Sequence, residues 1–92
     1  MEKFSVKDVV TFMLTHLEQN NSMYQDEAVL IVREKFGDEF VDINENGSYV
    51  FKANVLNAFR KLTGDKIVWC RVSKYWRFRM STDNPNSRFA DE

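Results

Sequence analysis

Cysteine, proline and histidine each occur once in these 92 residues, and glycine only three times. A single cysteine excludes an internal disulfide framework and paired-cysteine zinc spacing, and makes a reducing cytoplasm the default compartment. A single histidine rules out HExxH and any second imidazole for an ordered triad, and no Gly-rich phosphate loop is present. No apolar run approaches the ~18 residues a membrane span needs, and the opening MEKFSVKD lacks a signal-peptide core. These absences point away from an enzyme, and they indicate no cofactor, metal ligand set, membrane partner or small-molecule substrate.

Apolar material is plentiful by contrast. Thirteen aromatics and an apolar share of 43% suffice for a core, in a chain near the small end of what folds without disulfides or metal. One domain is expected over residues 1–80, followed by a mobile tail, residues 81–92, with the only proline and little apolar content. The net charge of −1 conceals two opposed halves. Residues 1–46 carry ten acids against four bases (−6), and residues 47–92 nine bases against four acids (+5). Such a field steers one end toward a polyanion, or pairs the halves with each other or with a second copy head to tail.

Ser5 has the chemistry of a helix cap, with Asp8 at the position that favours a carboxylate and Phe4 and Val9 spaced as a hydrophobic staple. Val6, Val9, Val10, Met13 and Leu17 then recur at helical spacing, until Gln19-Asn20-Asn21-Ser22 ends the run. A second helix is expected from Tyr24–Asp26, with Ser22 and Gln25 at capping-box spacing and Gly37 closing it; Met23-Tyr24 forms a short extended piece between the two. Phe40–Phe51 alternates as a small hairpin around Glu45-Asn46-Gly47, which sets Val41 beside Phe51 and Ile43 beside Tyr49. A third helix follows from about Lys52 to Leu62, its buried side assigned to Val55, Leu56, Phe59 and Leu62, with Gly64 as its cap.

Ile67–Met80, IVWCRVSKYWRFRM, holds both tryptophans and alternates with period two, as strands do. A tip at Ser73-Lys74 sets Arg71 opposite Trp76, Trp69 opposite Phe78 and Ile67 opposite Met80. That leaves Val68, Cys70, Arg77 and Arg79 on the other face. The expected class is α+β: three helices, a small inserted hairpin and a C-terminal β-hairpin wing. Residues 4–80 resemble a winged helix-turn-helix in outline. The stretch from Phe36 to Arg79, with FGDEFVDINENG, VLNAFRKLTGDKIVWCR and YWRFR, also looks like a small bacterial and phage domain family of no known function. That resemblance implies a fold and a prokaryotic setting and brings no site residues.

Three features invite chemistry and resolve into structure. Asp42-x-Asn44-x-Asn46-Gly47 opens like an EF-hand loop, but its twelfth position is Ala53 where a bidentate Glu is required, and its flanks read as strands. His16 lies beside the apolar stripe of the first helix and reads as a core-edge or solvated residue. Cys70 reads as a small strand residue, although Arg71 beside it would favour the thiolate.

Two binding readings remain. In the first, which ranks higher, the domain docks a protein or itself, with Tyr75, Trp76 and Arg77 as residue types that anchor interfaces. In the second, the third helix offers Asn54, Asn57, Arg60 and Lys61 to a DNA major groove, while Lys66, Lys74, Arg77 and Arg79 serve as wing charges. A pI of 5.8 is far from the basic footprint of a typical DNA binder.

Overall fold

Ser5 and Asp8 start the first helix as their chemistry requires. A computed structural model describes residues 3–84 and 86–90, and in it the Ser5 N–H donates to Asp8 Oδ2 at 2.7 Å while the Asp8 N–H donates to Ser5 Oγ at 3.3 Å. This capping box opens α1 (Val6–Asn20) and holds the Asp8 carboxyl below its ordinary range, chiefly through the Ser5 backbone N–H. Asn21, in the left-handed region at φ 63°, ends the helix. Phe4 sets its ring edge-on against Phe36, 4.8 Å between centroids, so the expected staple partner comes from the next helix.

β1 (Ser22–Tyr24) follows at once and α2 (Gln25–Phe36) after it. The capping box expected from Ser22 and Gln25 does not form. Ser22 is committed to the sheet opposite Arg77, Tyr24 takes the N-cap position without a side-chain bond, and the Gln25 N–H donates to the Lys74 carbonyl at 3.0 Å. Gly37 closes α2 through its N–H to the Arg33 carbonyl at 2.9 Å.

β2 (Val41–Ile43) and β3 (Tyr49–Phe51) form the inserted hairpin in the expected register. Asn44 Oδ1 accepts the N–H groups of Asn46 and Ser48, both at 3.0 Å, and Gly47 sits at φ +80°. The EF-hand-like string is thus a turn in which the Asn44 side-chain oxygen is already engaged.

α3 (Ala53–Thr63) packs chiefly on α1. Its buried stripe is Val55, Phe59 and Thr63, rotated from the expected one. Leu56 is half-buried and Leu62 is 46% exposed. Thr63 tolerates burial because its hydroxyl donates to the Phe59 carbonyl at 2.8 Å, which leaves no orphan polar group.

β4 (Ile67–Cys70) and β5 (Tyr75–Phe78) form the C-terminal hairpin with Ile67 opposite Phe78, Trp69 opposite Trp76 and Cys70 opposite Tyr75. This is two residues shorter than the expected register. A two-residue turn at Ser73-Lys74 needs positive φ that neither residue supplies readily. The four-residue loop Arg71–Lys74 needs it only at Lys74 (φ 55°), whose N–H closes onto the Cys70 carbonyl at 2.8 Å. A slip of two preserves the faces, so Ile67, Trp69, Trp76 and Phe78 still point together toward the core. Strand β1 pairs antiparallel with β5.

The chain beyond residue 80, expected as a mobile tail, returns to the sheet. β6 (Phe89–Ala90) lies parallel to β4, and the Trp69 and Arg71 N–H groups donate to the Arg88 and Ala90 carbonyls at 2.8 and 3.0 Å. Within that expected tail, Pro85, Asp91 and Glu92 lie outside the described residues. The sheet order is β1-β5-β4-β6. The whole is α+β, three helices with a small hairpin and a mixed sheet, compatible with a winged-helix-like description. Among the described residues no helix is long and apolar enough to cross a membrane.

Candidate binding surface

The fold-back of residues 83–84 and 86–90 is what decides which wing charges face solvent. Arg77, expected on the open side of the hairpin, is 8% exposed. Its two terminal nitrogens donate to both carboxylate oxygens of Asp83 at 2.9 and 2.8 Å, and one also reaches the Phe78 carbonyl at 3.1 Å. A planar guanidinium on a planar carboxylate is the strongest ion-pair geometry available to side chains. It holds the Asp83 carboxyl far below its ordinary value, helped by the Met80 N–H at 2.6 Å.

Arg79 is committed as well. Its guanidinium donates to the carbonyls of Asp65, Asn84 and Ser87 at 2.6, 2.9 and 2.9 Å. The two arginines assigned to the wing therefore hold the C-terminal segment against the sheet. The face they share with Val68 and Cys70 is closed, for both of those side chains are buried.

The remaining candidates separate into two groups. Asn54, Asn57, Arg60 and Lys61 are exposed along α3, with Arg60 donating to Asn57 Oδ1 at 3.2 Å. Lys66, in the connection from α3 to β4, and Lys74, in the hairpin loop, are exposed, and their carbonyls accept from the Arg79 and Gln25 N–H groups. Tyr75 is half-buried with its ring 5.0 Å from that of Tyr24. Trp76, an interface-anchor residue type on the hairpin face expected to bury against α3, is a core residue at 7% exposure, in ring contact with Phe59 and Trp69 at 5.5 and 4.7 Å.

A groove of about 370 Å³ runs between α3 and the sheet, within the size range of ligand sites. Leu56, Asn57 and Arg60 line it from the helix, and Ile67, Trp69 and Trp76 from the sheet. Residues of the returning segment, Arg88 and Phe89, complete it. Among the described residues no acidic side chain lines it, while two arginines do. Neither Arg60 nor Arg88 is ion-paired among the described residues, where the two ion pairs are Arg33–Asp38 and Arg77–Asp83. The Phe89 ring lies under the Arg71 and Arg88 guanidiniums, 5.3 and 5.0 Å from its centroid.

Sequence reasoning reached Asn57 and Arg60 but missed Leu56, Trp69, Arg88 and Phe89 as surface features. Leu56 and Trp69 fit a core pattern and are only half-covered. Arg88 and Phe89 lie in a segment too short and polar to show a strand period.

Searches of curated proteins and of solved structures found no match. The model of a family of unknown function (DUF6953) matches residues 5–78, from the cap of α1 to the end of β5, with Asp83, Arg88 and Phe89 beyond the matched stretch. The chain belongs to that family.

Proposed function

We propose that the protein is a non-enzymatic, winged-helix-like binding module whose partner is another protein, docked in the groove between α3 and the Trp69–Trp76 face. The observation that carries this reading is the groove itself: half-open apolar side chains edged by polar ones, the anatomy of an interface anchor site. The commitment of Arg77 and Arg79 to the C-terminal segment weighs the same way, because it leaves only Lys66 and Lys74 of the four wing charges for a DNA phosphate backbone.

A second reading is duplex DNA on α3, favoured by the exposure of Asn54, Asn57, Arg60 and Lys61. Selection of a displayed random-peptide library on the intact protein separates the two. Peptides are expected to enrich and to lose binding on Asn57→Trp, an exposed change that fills the groove without entering the core. Peptides indifferent to that change would overturn the groove as the site. Retardation of random duplex with affinity falling steeply as salt rises, alongside no peptide enrichment, would replace protein docking with DNA docking.

A further inference from the structure

We infer that the groove takes an acidic protein segment carrying one bulky apolar side chain, an inference that rests on the protein-docking reading and specifies its partner. The argument is charge complementarity around an apolar floor. Arg60 reaches the groove from α3 and Arg88 from the returning segment, with no carboxylate lining it among the described residues. A guanidinium at the edge of an apolar surface with no carboxylate partner among the described residues keeps donors for one, even where it makes a weaker neutral contact as Arg60 does to Asn57. The half-buried Trp69 and Leu56 between them offer the surface that an aliphatic or aromatic anchor would cover.

A nucleic-acid base is the poorer occupant, because two of the rings lining the groove, Trp76 and Phe89, are already engaged. Trp76 packs against Phe59 and Trp69, with centroids 5.5 and 4.7 Å away. Phe89 already takes two guanidiniums on its ring. An acidic segment needs no open ring face, only two cations and an apolar gap.

The test uses three short synthetic peptides with the same central leucine, flanked by Asp and Glu, by Asn and Gln, or by Lys. Binding to the full chain is read from tryptophan fluorescence. The acidic peptide is expected to bind, with affinity falling as salt rises. Arg60→Glu and Arg88→Glu should each weaken it by about fivefold or more, the upper range for an exposed ion pair, and should improve the Lys peptide. Both arginines lie at the groove edge, and unchanged thermal unfolding of the two variants separates lost binding from lost folding. Equal binding of the acidic and amide peptides would overturn the charge inference and leave protein docking standing. Binding of none of the three, with a single-stranded oligonucleotide binding instead, would overturn both. Self-association of the protein alone, abolished by Arg60→Glu, would also overturn a separate partner by showing that another copy fills the groove.

Discussion

Trp76→Ala is expected to cost about 3–5 kcal/mol in urea unfolding, the range for removing a large buried aromatic. Against the roughly 5–15 kcal/mol that holds a domain together, such a loss removes a large fraction of the stability. Trp76 is placed to have this effect because three separate elements meet on its ring. Phe59 of α3 lies 5.5 Å away, Phe51 of the inserted hairpin 6.2 Å and Trp69 of the neighbouring strand 4.7 Å. Met23 of β1 stands opposite it in the sheet. Deleting the indole opens a cavity that neither a helix nor a paired strand can collapse into. A loss below about 1 kcal/mol, the scale of a surface substitution, would show that Trp76 is not the hub of this core.

Arg77→Met is expected to release the C-terminal segment while the rest of the domain stays folded. Removing one partner of a buried pair leaves the other charge uncompensated, and this costs far more than deleting both. Hydrogen exchange at the Trp69 and Arg71 amides, which donate to Arg88 and Ala90, should accelerate sharply. The α3 amides around Phe59 should remain protected, since local opening need not spread. Asp83→Asn should act the same way more mildly, and Arg77→Met with Asp83→Leu should recover part of the protection. The groove loses its Arg88 and Phe89 side when the segment leaves, so peptide binding should fall with it. Slow exchange at Trp69 and Arg71 in Arg77→Met would contradict the clasp.

The same pair sets a pH dependence. The Asp83 carboxyl is lowered from its ordinary value of 3.8, first by Arg77 and then by the Met80 N–H. A lowered folded-state value means that the contribution is complete above the ordinary value and is lost as pH falls below it. Protection of the two amides should therefore stay flat from neutral pH to mild acid and decline only in stronger acid, once the intrinsic pH dependence of exchange is removed.

Local chemistry explains why some of this was legible in the residues and some was not. The Ser5–Asp8 cap, the Gly37 stop and the register of β2 with β3 depend on neighbours within a few positions, and all three appear where expected. The two faces of the β4–β5 hairpin also follow from period-two alternation, and they survive a register error of two because the period is two. The rest is tertiary. Thr63 reads as surface until its hydroxyl is seen on the Phe59 carbonyl, which lets α3 turn Leu62 outward. Arg77 reads as an exposed wing charge because nothing in YWRFRM signals an aspartate six residues on. Composition weighs apolar surface, whereas the C-terminal segment is held by guanidiniums on a carboxylate and on backbone carbonyls. The groove shares that origin, because one of its sides is built by that segment.

The most direct measurement for docking in the groove is a two-dimensional amide and indole NMR titration of the full chain with the acidic, leucine-anchored peptide. Shifts are predicted to concentrate at Leu56, Asn57, Arg60, Arg88 and Phe89 and at the Trp69 indole. Asn54, Lys61, Lys66 and Lys74 should stay still. The opposite pattern, a silent groove with duplex DNA moving Asn54, Lys61 and Lys74, would contradict the account.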